Sequence, residues 1–482
     1  MARGDKGGPA AKFEGIRAGT TILKEDPFAC ILYSRYRKVR CDHCFKKGNI
    51  KLCLGCRFVG YCSNSCQSFG WAQHKIECPH LGGLKHPDQF PDEARLIARI
   101  VWRLTSGGDT DRGYYAKGEY RTFGDLMSHL PNISSDVTRM ERFNEIYDAL
   151  QQLLTEKYMP SYPVVLHIYG QICVNSYHIV DEDMANAGQG IYLAASIVDH
   201  SCVPNAVATF EGSQLSITLT QDIEGTGPVN WSQIFISYVD NMTPTELRQN
   251  EIFDKYYFVC ACPRCSDETE SMKMIAAECP NPKCDNILDL RKDIYLCPIC
   301  EKEIDPEHKD MYNYLMEFTP LKLYEMAMND TAYLDILQVM VKMQKGVFST
   351  NNIWYLKTLE AAFDSATIME RYDQAIEYGK ALIPGYENYY GTIHPSTAII
   401  QMKVGKLLAD QERNLEAYGC LRSAADILEI THGTEHSVYI NLVEPSLRKL
   451  TAINEDHMKA AKAAAAREAA NKPPPPPEEE AA

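Results

Sequence analysis

The sequence predicts an α+β protein, with a β-rich core that cysteine-dense and helical segments interrupt and that an all-helical region follows. Three observations support this fold class. Cysteines recur in close pairs within residues 41–78 and again within 260–300. Short runs of β-branched residues separated by turns fill residues 190–240. Apolar residues recur at helical spacing from about residue 305 to residue 450.

Length and composition indicate a large globular chain in a reducing environment. The 482 residues predict about three domains, and a hydrophobic content of 45% is enough to form large cores. The formal charge of −15 argues against nucleic-acid coating and is compatible with a basic peptide partner. No signal-like segment precedes Leu32 and no run of 18 apolar residues occurs, so we expect no membrane contact and a location in cytoplasm and nucleus. The 18 cysteines are then expected to be metal ligands, not disulfide partners.

A helical stretch is expected before the β-rich region. Asp92 stands at an N-cap position ahead of apolar residues at helical spacing, and the pattern continues to about Cys173. A solvated tail is expected at residues 456–482, which include five consecutive prolines.

The helical C-terminal region contains an internal repeat. Two motifs recur at an offset of 42 residues: Arg371-Tyr-Asp-Gln-Ala375 with Arg413-Asn-Leu-Glu-Ala417, and Gly391-Thr-Ile-His394 with Gly433-Thr-Glu-His436. These matches favour stacked helix pairs of the tetratricopeptide (TPR) type, with an ordinary helical domain as the alternative.

The first cysteine-dense segment offers the eight ligands that two closed tetrahedral zinc sites require. They form four close pairs: Cys41 and Cys44, Cys53 and Cys56, Cys62 and Cys66, and His74 and Cys78. Zinc would replace a core that a segment of this length cannot build. Spacing alone leaves the pairing open.

Positive charge is concentrated around the same segment. The basic residues are Arg35, Arg37, Lys38, Arg40, Lys46, Lys47, Lys51 and Arg57. A solvated face is the preferred interpretation, and a contact with nucleic acid or an acidic protein is the alternative.

Two further zinc sites are expected downstream. Cys260, Cys262 and Cys265 leave a tetrahedral site one ligand short, and the distant Cys202 is the natural fourth ligand. A fourth site with zinc-ribbon spacing would use Cys279, Cys284, Cys297 and Cys300. The three remaining cysteines, Cys30, Cys173 and Cys420, are expected to be buried thiols.

Two sets of motifs resemble known families. Residues 41–78, including Tyr61-Cys62 and Trp71, resemble a MYND finger. Three later segments are similar to the SET-domain signature, its catalytic strand and its post-SET segment: Asp199-His-Ser-Cys-Val-Pro-Asn205, Phe235-Ile-Ser-Tyr-Val-Asp240 and Tyr256-Tyr-Phe-Val-Cys-Ala-Cys-Pro-Arg-Cys265. The motif order resembles that of the SMYD lysine methyltransferases over residues 13–450.

The resemblance implies both a domain order and a zinc pairing. The domains would be SET segments at 13–40 and 176–245, a MYND finger at 41–78, a helical insert at 79–175, a post-SET segment at 246–268, a zinc-ribbon-like segment at 276–303, a TPR-like domain at 305–455 and the tail. One finger zinc would bind Cys41, Cys44, Cys62 and Cys66, and the other Cys53, Cys56, His74 and Cys78. The zinc ions would be structural.

The resemblance also implies an S-adenosylmethionine-dependent protein-lysine N-methyltransferase. Cofactor contacts carry over to His129, Asn175, Asp199, His200 and Phe258. Tyr238 carries over as the catalytic tyrosine, with Tyr256 or Tyr257 walling the lysine channel. Methyl transfer needs a neutral amine, whereas free lysine has a pKa of about 10.4. A narrow aromatic channel disfavours the ammonium by desolvation, and a tyrosine hydroxyl aligns the nitrogen lone pair.

Three segments depart from the family's pattern. Lys6-Gly-Gly-Pro-Ala-Ala-Lys12 stands where a glycine-rich stretch lies along the cofactor, Asp199 replaces an asparagine, and the turn from Gly225 to Ile234 replaces a shorter acidic one. Proline removes an N–H donor, and a carboxylate cannot donate unless it is protonated.

The sequence is therefore compatible with three functions and several partners. The preferred function is methylation of lysines in histones or other proteins, and the alternative is an impaired scaffold that binds partners through the finger and the TPR-like region. A DNA-binding transcription factor is the third. The expected partners are a lysine-containing protein substrate, a proline-rich segment at the finger, and a chaperone or peptide at the TPR-like region. The chain is expected to be a monomer.

Overall fold

The computed structural model describes residues 15–182, 184–225, 227–328, 333–453 and 455. The mixed helix-and-strand class and the helical C-terminal region are confirmed. The Lys6–Lys12 segment and the tail at 456–482 lie outside the described residues. None of the helices within the described residues is long and apolar enough to cross a membrane.

The strands form several small sheets. Strands of the first part are β1 (Gly15–Ile16), β2 (Thr21–Glu25), β3 (Ala29–Leu32), β4 (Lys51–Leu52), β5 (Gly60–Tyr61), β6 (Gly113–Ala116) and β7 (Glu119–Arg121). Those of the β-rich region are β8 (Ser176–Val180), β9 (Asn186–Ile191), β10 (Asp199–His200), β11 (Ala206–Glu211), β12 (Gln214–Leu219), β13 (Ile223–Glu224) and β14 (Phe235–Ile236), followed by β15 (Ala277–Glu278) and β16 (Ile287–Leu288).

Strand pairing joins distant parts of the sequence. One antiparallel sheet has the order β3-β9-β8 and another β11-β12-β2, so residues before the finger pair with residues of the β-rich region. In β12, Leu215, Ile217 and Leu219 alternate into a shared core because successive strand residues face opposite sides. The short strands β10 and β14 lie side by side in parallel, with Asp199 opposite Phe235 and His200 opposite Ile236.

The helices before the β-rich region surround a second core. They are α1 (Asn64–Gly82), α2 (Asp92–Thr105), α3 (Leu130–Ser135), α4 (Val137–Leu153) and α5 (Tyr162–Asn175). The N-cap of α2 is Pro91, not Asp92 as predicted. The Asp92 carboxylate instead accepts hydrogen bonds from the Ser34 amide at 3.0 and 3.1 Å, tying α2 to the segment after β3.

The predicted continuous helical stretch up to Cys173 is wrong at one place. Strands β6 and β7 form a hairpin within it, joined through Gly118 with φ +84°. Tyrosines favour extended backbone, and a glycine with positive φ suits a tight turn, so local preference overrides the helical pattern. Gly113 packs so tightly that an added Cβ would lie 2.4 Å from the Ala194 nitrogen.

The rest of the chain is mainly helical. Its helices are α6 (Thr245–Tyr256), α7 (Glu268–Lys273), α8 (Pro306–Ala327), α9 (Leu334–Gln344), α10 (Ile353–Ile368), α11 (Tyr372–Tyr390), α12 (Pro395–Asp410) and α13 (Asn414–Thr431), followed by a helical segment over 437–453. Both α10 and α11 are followed at an offset of 42 residues by α12 and α13. The turns repeat too, with φ 57° at Glu370 and φ 58° at Glu412. The sequence repeat is therefore a repeat of helix pairs.

Candidate functional site

Pairing of β10 with β14 brings the Asp199-His200 pair next to Tyr238. The Tyr238 amide donates to His200 Nδ1 at 3.0 Å, and the Tyr238 hydroxyl donates to the Val198 carbonyl at 2.5 Å. The imidazole ring lies 5.2 Å from the tyrosine ring. Val198 and His200 thus fix the hydroxyl and the backbone of Tyr238, a residue about 40 positions further along the chain.

The segment after α6 places aromatic rings around the phenol. The Tyr256 ring lies 4.9 Å from that of Tyr238, and the Phe258 ring lies 6.3 Å from that of His200. Phe258 is 38% exposed, a large fraction for an aromatic side chain. Its open face can accept a planar or cationic ligand group.

The structure distinguishes the two tyrosines that the sequence left open. Tyr257 has φ 62°, so its side chain leaves the direction of Tyr256 and lies 5.4 Å from the His129 ring. Its buried hydroxyl has no hydrogen-bond partner among the described residues. Only Tyr256 packs against Tyr238, and Tyr257 belongs to the side of the site that carries His129.

Asn175 links the end of α5 to the segment that carries His129. Its Nδ2 donates to the Met127 carbonyl at 2.7 Å and to the Gln171 carbonyl at 2.8 Å. His129 itself has φ 45° and precedes α3 as its N-cap. Of the five expected cofactor residues, Asn175 therefore bonds to the segment before His129, and His200, next to Asp199 in β10, lies beside Phe258.

A cavity of about 210 Å³ opens onto Tyr238 and Tyr256. Its lining residues include Asn175, Ser176, Tyr177, Met184, Ser196, Ile236, Tyr238 and Tyr256. Sequence reasoning missed Tyr177, whose hydroxyl donates to the Ala195 carbonyl at 2.9 Å. Its position two residues after Asn175 is the one signal that could have indicated it.

Glu25 is a second residue that sequence reasoning missed. Its two carboxylate oxygens accept hydrogen bonds from the amides of Ala194 and Ala195, both at 2.9 Å. The turn that these amides begin carries Ser196 of the cavity and leads to Val198, the acceptor of the Tyr238 hydroxyl. A side chain on β2 therefore anchors one wall of the site.

Burial keeps the aromatic hydroxyls protonated. The pKa of Tyr238 is raised by burial and then by the nearby negative charge of Asp199. Burial raises the pKa of Tyr256 to about 12. The pKa of His200 is lowered to about 4 by burial and by the positive charge of Arg248. Near neutral pH the site holds two neutral phenols and a neutral imidazole.

Four groups of ligand atoms meet the requirement for zinc, each with all of its atoms within 4.8 Å of one another. The groups are Cys41, Cys44, Cys62 and Cys66; Cys53, Cys56, His74 and Cys78; Cys202, Cys260, Cys262 and Cys265; and Cys279, Cys284, Cys297 and Cys300. A tetrahedron with Zn–S bonds of about 2.3 Å separates two sulfurs by about 3.8 Å. Measured Sγ–Sγ distances of 3.6 Å for Cys202 and Cys265 and 3.8 Å for Cys284 and Cys297 fit that geometry.

The third cysteine group lies against the Tyr238 site. Cys202 Sγ is 3.4 Å from His200 Nε2, on the opposite side of the imidazole from the Tyr238 amide. Cys260 follows Phe258 by two residues. A zinc ion in this group would hold the His200 strand and the aromatic segment in fixed relation.

Much of the positive charge around the finger is engaged. Arg40 is buried and pairs with Asp181 and Glu182, and the nearly buried Arg37 pairs with Asp88 at 2.6 Å. Lys46 pairs with Glu211 at 2.9 Å. The remaining solvated cations make a smaller basic face than the sequence suggests.

The three cysteines outside the zinc groups differ in part from the expectation that all are buried thiols. Cys30 is buried, while Cys173 and Cys420 are only partly buried.

Comparison with known proteins agrees with this geometry. A family model described as MYND finger matches residues 41–78. The chain is 26% identical over 434 residues to "Histone-lysine N-methyltransferase SMYD3" of Homo sapiens, covering 89% of this chain and 92% of that protein. It is 26% identical over 450 residues to "N-lysine methyltransferase SMYD2-B" of Danio rerio, covering 91% and 96%.

A plant relative extends the similarity. "Histone-lysine N-methyltransferase ASHR1" of Arabidopsis thaliana is 27% identical over 435 residues, which cover 87% of this chain and 88% of that protein. The finger, the four cysteine groups and similarity along nearly the whole chain all agree. The chain is similar, along most of its length, to proteins of the SMYD family.

Proposed function

We propose that the protein is a protein-lysine N-methyltransferase that uses S-adenosylmethionine and acts on lysines of histones or other proteins. The observation that carries this proposal is Tyr238 in the lining of an aromatic cavity, with its hydroxyl bonded to the Val198 carbonyl and its backbone amide bonded to His200. The names of the three relatives describe lysine N-methyltransferases. For that reason the scaffold alternative is not favoured.

The residues around Tyr238 suit the cofactor. Phe258 offers an open aromatic face, and Asp199 is an exposed carboxylate beside the phenol. His129 and Asn175 would hold the cofactor from the other side. When bound, S-adenosylmethionine supplies an electrophilic methyl group on a positively charged sulfur. An aromatic face and a carboxylate both attract such a positive charge, which supports the assignment.

Tyr238 would orient the substrate amine. Its O–H is committed to the Val198 carbonyl, so its oxygen lone pairs remain available to accept an N–H from a lysine amine. Because the raised pKa keeps the phenol neutral, it would act by positioning and not as a base. Tyr177 and Tyr256 would narrow the cavity around the aliphatic part of the lysine and favour the uncharged amine by desolvation.

The Tyr238→Phe variant tests the assignment. We expect the turnover number for transfer of a labelled methyl group to a histone mixture to fall about 100-fold, since the orienting oxygen is lost. Cofactor affinity, measured by calorimetric titration, should change little.

Tyr257→Phe is the matched control. It also removes one phenolic hydroxyl, but that hydroxyl has no hydrogen-bond partner in the described part of the chain, and Tyr257 does not line the cavity. Its activity should stay within about twofold of the parent protein. Equal activities in the parent and in Tyr238→Phe would refute the role of Tyr238, and a chain that binds no cofactor at millimolar concentration would refute the proposed function.

A further inference from the structure

Helix α8 lies at one end of the series of helices in the C-terminal region. It packs against α10, and α10, α11, α12 and α13 then contact one another in order. Its inner side is buried, with Tyr312 and Leu315 in the core beneath the zinc-ribbon-like segment and Met326 packed with residues of α9. The terminal helix of such a stack normally presents a polar outer face, because nothing packs on it.

The outer face of α8 is apolar instead. We define the α8 stripe as Met311, Tyr314, Phe318, Leu321, Tyr324 and Met328. Leu321 is 71% and Tyr324 68% exposed, and only Phe318 is half-buried. The residues follow at steps of three or four, so they form a continuous line along the 22-residue helix and its C-cap, Met328. This spacing is typical of a seam that receives a second helix.

Acidic residues accompany the stripe. Glu307, Asp310, Glu317 and Glu325 lie within the same sector of the helix, and all four are exposed. The cation at its edge, Lys322, pairs with Glu325 at 2.8 Å. The exposed side of α8 therefore combines a long apolar line with net negative charge.

The negative charge beside the stripe determines which kind of occupant can bind there. A second copy related by a two-fold axis would place acids opposite acids, which is repulsive. The described end of the chain, the helical segment over 437–453, contacts α13 at the other end of the series. The last described residues of the chain therefore contact α13 and not α8. An external helix with basic flanks satisfies both the apolar line and the acids.

We propose that the α8 stripe is a docking surface for an amphipathic helix of a partner protein, with apolar residues at heptad spacing and lysine or arginine on its flanks. This surface is separate from the Tyr238 cavity and goes beyond the proposed catalysis. Recognition of this kind uses a line of apolar anchors for affinity and flanking charges for selectivity.

Two labelled synthetic helical peptides of about four heptads test the proposal. Both carry leucine at the heptad positions, one has lysine on its flanks and the other has glutamate. Fluorescence anisotropy with the full chain should give a dissociation constant at least tenfold lower for the lysine peptide. Because the whole chain is acidic, this preference must also depend on the stripe.

Substitutions test whether the peptide preference depends on the stripe. Leu321→Glu should weaken binding of the lysine peptide at least tenfold, while Leu415→Glu should leave it unchanged. Leu415 is a matched control because it is 79% exposed on α13, away from α8. Exchange of Asp310 and Glu317 for lysine should shift the preference toward the glutamate peptide. Both sites are exposed, so these variants should fold normally.

Four outcomes would overturn the proposal. The first two are binding of neither peptide and equal binding of both peptides. The third is equal binding of the lysine peptide to the Leu321→Glu and parent chains. The fourth is peptide binding that appears only after removal of residues 456–482, which would make the tail the occupant. Sedimentation velocity adds a fifth. A dimer that Leu321→Glu dissolves would assign the stripe to a second copy.

Discussion

Glu77 connects His74, a member of a candidate zinc group of the finger, to the core of the molecule. Its fully buried carboxylate accepts hydrogen bonds from Arg95 and Arg99 and lies 3.0 Å from His74 Nδ1. Arg99 also pairs with the carboxylate of Asp42 at 3.2 Å. Removing one carboxylate leaves two buried guanidinium groups with a single negative charge, which is costly in a low-dielectric interior.

We therefore predict that Glu77→Gln destabilises the finger by about 3 kcal/mol or more. It should also weaken zinc binding at the His74 site about 10- to 100-fold, because the glutamate orients the imidazole. Competition with a chromophoric chelator measures this loss. Asp88→Asn is the control, since Asp88 pairs with Arg37 while its side chain is 79% exposed. Identical zinc release in the two variants would contradict the assigned role of Glu77.

His394 is a partly buried histidine that belongs to none of the four candidate zinc groups. It is the N-cap of α12, where its Nδ1 accepts a hydrogen bond from the Ser396 amide at 3.1 Å. Burial lowers its pKa to about 4, against an ordinary 6.5. A lowered histidine pKa means that the unfolded chain binds the extra proton more readily. The contribution of His394 to the free energy of unfolding is therefore fully present above about pH 6.5, and it is lost as the pH falls toward 4.

We predict that His394→Asn reduces the pH dependence of the melting temperature between pH 6.5 and 4. The histidine alone accounts for up to about 3 kcal/mol over this range. Asparagine keeps an N-cap acceptor, so the variant should fold at neutral pH. Calorimetric scans of the parent protein and of His394→Asn across this range measure the difference in melting temperature. Release of zinc by acid affects both proteins alike and therefore cancels in that difference. Parallel curves would show that His394 contributes nothing to the pH dependence.

Several residues of the site could be inferred from the sequence because their signals are local. Cysteines in close pairs indicate zinc whatever the fold, and the structure brings together the groups that spacing and resemblance suggested. Tyr177 and Glu25 carry no such signal, since their partners Ala195 and Ala194 are distant in the sequence. Arg40 was expected on a solvated face because its partner Asp181 is 141 residues away.

At the level of elements, the third and fourth cysteine groups lie against different parts of the protein. Cys202 of the third group lies 3.4 Å from His200, whereas the fourth group packs under α8 with Leu315 and Phe348. Loss of the third zinc would free the strand that holds Tyr238 and the segment that carries Phe258. Loss of the fourth would leave both in place.

We predict that Cys262→Ser and Cys284→Ser each lower the zinc content from four to three ions per chain, while only Cys262→Ser abolishes methyl transfer. The two cysteines are matched, because each is a partly buried member of a four-cysteine group. Atomic absorption gives the zinc content and labelled methyl transfer gives the activity. Retention of activity in Cys262→Ser would show that the third zinc does not support the site.

Elements with a regular pattern were easier to predict than those defined by a turn. The offset of 42 residues identified helix pairs correctly because each pair repeats both its buried face and its turn residues. The β6–β7 hairpin was missed because it is short and lies within a helical pattern, where Gly118 gives the main local signal. The N-cap of α2 was misplaced by one residue, since Asp92 is used in a long-range contact with Ser34 instead.

At the scale of the whole molecule, Glu211 joins three parts of the chain. It ends β11, pairs with Lys46 of the finger at 2.9 Å and accepts a hydrogen bond from the Ser437 amide at 2.9 Å. His436 Nε2 lies 3.1 Å from the neighbouring Phe210 carbonyl. The contact between the β-rich core and the last helical segment thus includes a partly exposed carboxylate as well as the His436 contact.

We predict that Glu211→Gln loosens this junction without unfolding the protein. The side chain is 40% exposed, so the cost to global stability should stay near about 1 kcal/mol because solvent screens the charges. The amide of Ser437 should nevertheless exchange its hydrogen at least about fivefold faster, since its acceptor loses the negative charge. Hydrogen exchange followed by mass spectrometry resolves peptides that contain residues 436–440. Glu224→Gln, at an exposed glutamate of β13, is the control, and an equal exchange rate in both variants would show that the Glu211 charge does not hold the junction.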